Sequence, residues 1–475
     1  MTEDGSMAEA EALAARIADE DVRLVDLRFT DLVGRWRQTS LDAARVDPAL
    51  LRRGVMIDGS LVPGWRDIAE SDLLLRPDLG SAFVDPFAAQ PTLVLFADAT
   101  EPGTGVGYER DPRSGAVLAE QRLRDLTEAD AAVCSIDLGF FVFDDVRVEQ
   151  GPLRAGFVLE SSESRTAGSR AYAGGNPGHR PAFGGAHLAM APTDHFGDIR
   201  GEIVTMLQGL GFAELRHEHG PTPCQNRLAF GTGGLVETAD RLQTLRYVVH
   251  QVARSYAKSA TFMPKPLVDE PGASLNVSLS LWREGRPLFA GHGYADLSPT
   301  AIHFIAGILA HGRALNAFTN PTTNSYKRLQ TGTDEPSLLA FAAHNRSAAV
   351  RIPYADEPVK KRVEVRFPDP TANPYLALTA LLLAGIDGIE RRLEPGDAMD
   401  RNLYDLRPDE LEGMPTLCRD LGTALDALGQ DHAFLTRDEI VPRALVEAYV
   451  DVKRREIDFI ARRPTATEFE LYYGL

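Results

Sequence analysis

Apolar and polar positions change period several times along the 475-residue chain. Residues 8–19 are rich in Ala and Glu, which predicts an opening helix. Residues 22–29 alternate apolar and charged side chains, the period of a half-buried strand. Gly34, Asp58-Gly59 and Pro63-Gly64 then punctuate a series of short strands and turns. This small β-rich unit runs to about Gly107. Asp111-Pro112-Arg113 opens a helix predicted through Leu126. Strands are predicted at 131–143, 274–281 and 362–367, with amphipathic helices between them. In one of these, 242–256, Leu242, Leu245, Val249, Val252 and Tyr256 share a face. The Ser-, Gly- and Arg-rich stretch 160–178 reads as a mobile loop. The fold class is α+β, with a small N-terminal sheet domain over 1–107 and a large catalytic-type domain over 108–475.

Composition narrows the function classes. Hydrophobic residues make up 44% and charged residues 25%, enough apolar content for ordinary globular cores. A formal net charge of −18 would repel phosphates, which argues against nucleic acid and anionic membranes as partners. Cys134, Cys224 and Cys418 are far apart and form no CxxC pair, so a reducing, cytoplasmic location is expected. The acidic start of the chain does not read as a signal peptide. No run of 18 apolar residues is present, so no membrane span is expected.

Several motifs are more specific. They are Asn320-Pro-Thr-Thr-Asn-Ser-Tyr-Lys-Arg328, Asn345-Arg346-Ser347 with Arg351-Ile352-Pro353, and Arg362-Val-Glu364-Val-Arg366-Phe-Pro-Asp-Pro370. Asp58-Gly59-Ser60, the Lys258 to Pro266 segment and the closing Glu468-Phe-Glu-Leu-Tyr-Tyr473 accompany them. In order and spacing, from about residue 20 onward, the chain resembles the glutamine synthetase family, in its bacterial type I branch. The resemblance implies a β-grasp N-terminal domain and a larger domain with a curved antiparallel sheet. It also implies a homo-oligomer of two stacked hexameric rings, each site being completed by a neighbour, with co-assembly with related subunits left open. The family reaction phosphorylates the γ-carboxylate of glutamate with ATP, and ammonia then attacks the acyl phosphate. Two divalent metals hold the phosphates.

Carried over position by position, the resemblance implies catalytic roles for Asp58, Asp334 and Arg346. Glu218, Gly272, Arg328, Arg351 and Arg366 take substrate-binding positions, and Ser280, Arg351 and Arg362 take nucleotide-binding positions. The chain departs from the family pattern at the metals. Gly139 and Arg227 stand where the pattern has Glu, and Asn276 and Ser278 stand where it has His. Asp137, Asn276 and Glu364 still offer oxygen, so one weak magnesium site is expected. The other site, of which Glu218 is the remnant, is expected to be empty, and ATP use is left open. Three readings of Arg227 stand: an ion pair with Glu218, which is favoured, a stand-in for a metal's charge, or exposure to solvent. Tyr404 reads as a structural tyrosine on a loop. His217 and His219 flank Glu218 and should face away from it on a strand, so no new zinc site is expected.

The expected function follows from these losses: a catalytically silent or repurposed homologue that binds a glutamate-like or phosphate anion through the surviving arginines. The alternative is a divergent carboxylate–amine ligase with a nucleophile other than ammonia. A metal-free anion-binding enzyme is a third reading, and a working glutamine synthetase ranks last.

Overall fold

A computed structural model of the chain describes residues 3–167, 171, 175–182, 185–329 and 335–475. The opening helix, Glu3–Asp19, starts five residues before its predicted position and buries Ala10, Leu13 and Ile17 on one face. The first sheet has the order Trp36–Asp42, Leu24–Thr30, Thr92–Thr100, Asp72–Pro77, Val55–Asp58. Leu24–Thr30 runs parallel to Thr92–Thr100 and the other neighbours are antiparallel. The fold is α+β, as expected.

The second sheet has nine strands. Its main path is Arg216–His219, Gln225–Gly233, Ala131–Phe143, Leu275–Arg283, Val363–Val365, Val350–Ile352, Phe341–Ala343. Ala131–Phe143 coincides with its predicted bounds. Its first half alternates buried and part-exposed positions, and its last six residues, from Leu138 to Phe143, are all buried. The strand predicted at 362–367 shortens to Val363–Val365.

Four helices among the described residues start with a side-chain cap followed by proline: Asp47 before Pro48, Asp111 before Pro112, Ser298 before Pro299 and Asn373 before Pro374. The predicted helix to Leu126 breaks at Arg122 into Pro112–Gln121 and Leu123–Leu126. The helix predicted at 242–256 instead spans Leu235–Ser255, because Leu235 and Ala239 extend its buried face toward the N-terminus. Helices Pro299–Ala310 and Pro374–Arg391 touch backbone to backbone. A Cβ on Gly307 would lie 2.0 Å from the Ala384 carbonyl oxygen, so only glycine fits there.

Asp111 adds a pH dependence. Its Oδ2 accepts from the Ser114 amide at 3.0 Å and the Ser114 hydroxyl at 2.6 Å. Complete burial, and then the charge of Asp98, push its carboxyl up to about 7 from an ordinary 3.8. Between those values the folded chain holds a proton that the unfolded chain releases. Stability from this group therefore falls as pH rises through the window. Asp111→Asn keeps the capping oxygen and removes the charge. Its stability relative to the parent is expected to improve from pH 5 to pH 8, read from urea midpoints. A pH-independent difference would count against this account.

Candidate active site

The site rises from the middle of the nine-stranded sheet. Register places Asn276 opposite Asp137, Arg227 opposite both Gly139 and Glu218, and Ser278 opposite Glu364. Directly opposed residues, and residues two apart on one strand, share a sheet face. Asp137, Glu218, Arg227, Asn276, Ser278 and Glu364 therefore come together on one face, although they span more than 220 residues of sequence.

Arg227 holds two carboxylates. Its Nη2 donates to Asp137 Oδ2 at 2.6 Å, and its Nη1 lies 3.3 Å from Glu218 Oε1. Burial works against its charge, but Asp137 and Glu218 outweigh that and raise its pKa. Burial pushes the Asp137 carboxyl up, with Arg227 and Arg216 pulling the other way. The favoured pairing with Glu218 is present, and Asp137 is the nearer partner. Gly139 has little room for more: a Cβ there would sit 3.1 Å from Ala273 Cβ. Asn276 Oδ1 and the Ser280 hydroxyl are buried without a hydrogen-bond partner among the described residues. An orphaned carbonyl oxygen beside Asp137, with Glu364 on the same face, is a hard-oxygen donor set. On that chemistry Asp137, Asn276 and Glu364 fit a divalent magnesium ion.

Glu364 anchors the arginines. Arg351 Nη1 lies 3.3 Å from both of its oxygens, and Arg366 Nη1 lies 3.0 Å from Oε1. The Nε atoms of Arg351 and Arg366 are buried without acceptors among the described residues. Arg328 is completely buried and donates to the carbonyls of Phe367, Pro368 and Arg366 and to Glu335. It braces the segment that carries Arg366. Gly272 packs against Arg328, and a Cβ there would meet the Pro264 carbonyl oxygen at 2.4 Å. Arg346 and Tyr404 line a cavity of about 790 Å³ at the far edge of the same sheet, together with Asp400 and Arg401. The Tyr404 hydroxyl reaches the Arg346 carbonyl at 3.5 Å. Arg362 is half-exposed and donates to the Lys360 carbonyl. Asp58 lies on the other sheet, exposed, where its Oδ1 accepts from the Ser60 amide and hydroxyl. Asp334 lies outside the described residues.

A second cluster went unforeseen. Glu163, Asp194 and His219 each bring one ligand atom within 4.8 Å of the others, the spacing of a metal site. This corrects the expectation that no histidine joins such a group. The sequence signal was weak, since the three residues come from separate segments and 160–178 reads as a loop. His219 Nδ1 must donate to the Gly220 carbonyl at 2.8 Å, and its Nε2 lies 3.1 Å from Glu163 Oε2. With Glu163 ionised, both contacts are satisfied by an imidazolium. Burial opposes that charge, but the hydrogen bond to Glu163 prevails and raises the pKa. A cation entering the cluster must displace this proton. The pair's contribution to stability is full below about pH 6.5 and is lost as pH rises through the raised value. His219→Gln is expected to destabilise more at pH 6 than at pH 9, measured by thermal unfolding. An equal loss at both pH values would refute the charged pair.

Residues 21–102 match the family described as glutamine synthetase, beta-Grasp domain, and residues 109–472 match glutamine synthetase, catalytic domain. A glutamine synthetase of Rhizobium meliloti is 45% identical over 469 residues, covering 99% of this chain and 100% of the relative. One from Bradyrhizobium diazoefficiens is 44% identical over 468 residues, covering 98% and 100%. A 3-hydroxylaminophenol mutase of Cupriavidus pinatubonensis is 43% identical over 460 residues, covering 97% and 98%. Among solved structures, Plasmodium falciparum glutamine synthetase superposes with a TM-score of 0.88 at 25% identity, covering 98% of each chain. Ligand-free GmaS superposes at 0.81 and 26% identity, covering 98% of this chain and 99% of that one. These full-length likenesses overturn the expectation of a catalytically silent or repurposed homologue. The substitutions at Gly139, Arg227, Asn276 and Ser278 count for less than a likeness to relatives named glutamine synthetase that runs from end to end.

Proposed function

Since the chain belongs to the glutamine synthetase family, we propose that it is a working ATP-dependent ligase that joins ammonia to the γ-carboxylate of glutamate. The observation that carries this reading is identity of 43–45% over nearly the whole length with relatives bearing that name. The arginines around Glu364 support it, because forked guanidinium groups suit carboxylate and phosphate. In this reading Arg346, Arg351 and Arg366 hold the anionic groups of substrate and nucleotide, while Arg328 and Gly272 fix the wall behind them. Ser280 and Arg362 serve the nucleotide, and Glu218 the amino acid. Asp58 and Asp334 handle the ammonia proton and shield the acyl phosphate. Asp137, Asn276 and Glu364 would hold magnesium, which supplies positive charge against the transferring phosphoryl group. Arg227 adds a permanent cation to the same face.

A homo-oligomer in which a neighbour supplies Asp58 belongs to the same reading. The exposed C-terminal Phe469, Leu471, Tyr472 and Tyr473 support it as an apolar docking surface. Among the described residues no helix is long and apolar enough to cross a membrane, and a cytosolic setting is part of the proposal. Calorimetry of the purified protein with ATP and magnesium is expected to show saturable binding near one nucleotide per chain. Absence of binding with magnesium present would remove the reading.

A further inference from the structure

A separate cavity of about 500 Å³ lies between the first sheet and helix Leu235–Ser255. Arg28, Arg35, Arg37, Arg246, Trp36 and His250 are among its lining residues. The chain as a whole carries −18, so four arginines around one cavity run against its overall charge. The carboxylates nearby are already engaged. Asp26 and Asp85 pair with Arg28 at 3.1 and 2.5 Å, and Asp31 pairs with Arg37 at 2.7 Å. Among the described residues Arg246 bonds only to neutral oxygens, namely Gln243 Oε1 and the carbonyls of Pro370 and Ala372. Its burial, unmatched by a carboxylate in contact, pushes its pKa down to about 10. Among the described residues the Arg35 guanidinium meets no carboxylate, although its backbone amide donates to Asp31 Oδ1 at 2.8 Å.

The unsatisfied groups all have the same polarity. Arg28 Nε and Nη1, Arg246 Nε and Trp36 Nε1 are buried without acceptors among the described residues. Every one is an N–H donor. Two of the Arg28 contacts are with the ring faces of Trp36 and Tyr247, at 5.0 and 4.7 Å, which are weak substitutes for an oxygen acceptor. A cavity lined by cations and spare donors calls for a ligand rich in acceptor oxygens.

We propose that this cavity is a binding site for a small phosphorylated metabolite, distinct from the site on the nine-stranded sheet. The phosphate group sits among Arg35, Arg37 and Arg246, and the volume leaves space for an attached group the size of a nucleoside. Such a ligand bridges the N-terminal sheet and a helix of the catalytic domain, and so it stabilises their contact.

The test is calorimetry on the full-length protein with inorganic phosphate and, separately, adenosine monophosphate, in parent, Arg35→Gln, Arg246→Gln and Arg366→Ala forms. Arg35 is exposed, so its replacement leaves the fold intact even where Arg246→Gln does not. Saturable binding of either probe that weakens at least tenfold in Arg35→Gln and persists in Arg366→Ala is the expected result. Binding to phosphate alone shows that the oxyanion suffices, and tighter binding of the nucleotide shows that the larger group is held too. No binding, binding unchanged in Arg35→Gln, or binding lost only in Arg366→Ala would overturn the proposal.

Discussion

Arg366→Ala is expected to lower kcat/KM for glutamate by about 10²–10³-fold, the usual loss when one preorganised donor to a developing anion is removed. Arg366 has one nitrogen on Glu364 at 3.0 Å and a buried Nε with no acceptor. It is therefore partly committed to the wall and partly open to a ligand. The alanine form should fold, because Arg328, not Arg366, holds the local carbonyls together. Arg366→Lys keeps the charge but loses the planar fork, so it should recover only part of the activity. Steady-state kinetics alongside circular dichroism would check this. Full activity in the alanine form would take Arg366 out of the site.

The largest expected loss of stability is at Arg113. Its guanidinium is almost fully buried and binds Asp240 at 3.0 and 2.8 Å, Asp98 at 2.8 Å and Asp78 at 2.7 Å. Tyr375 donates to the same Asp240 at 2.6 Å. Burial alone would lower the Arg113 pKa, but Asp240 and Asp98 raise it far above its usual value. Asp78 and Asp98 belong to the first sheet's half of the molecule, and Asp240 and Tyr375 to helices of the other half. Arg113→Ala strands these carboxylates without a cation, so a loss of about 3–5 kcal/mol is expected. The double variant Arg113→Met with Asp240→Asn removes charge from both sides and should lose less. Urea unfolding would measure both. If the single and double variants lose the same amount, the stranded-charge account is wrong.

The two strands that bracket Asp137 and Asn276 were legible because alternation and apolar content mark them clearly. The motif around Glu364 also carries the pairing of Arg351 and Arg366 with that carboxylate. Other features depend on contacts that no local pattern encodes. The Arg122 break has no helix-breaking residue to announce it. That Arg328 turns inward depends on the carbonyls of residues 366–368, nearly forty positions away. Arg227 reaching Asp137 is a diagonal contact set by strand register, across 90 positions. The Glu163–His219 pair closes a span of 56 residues that starts in an apparent loop. The functional expectation fails for a different reason: Gly139, Arg227 and Asn276 are local changes, whereas the likeness to relatives named glutamine synthetase runs along the whole chain.

Ligase activity is read by supplying glutamate, ATP, magnesium and ¹⁵N-ammonia to the purified protein and following ADP and labelled glutamine together. ADP release that requires both glutamate and ammonia, with one labelled glutamine formed per ADP, is the predicted result. ADP release no greater than in the glutamate-free control, with no labelled glutamine, would contradict it.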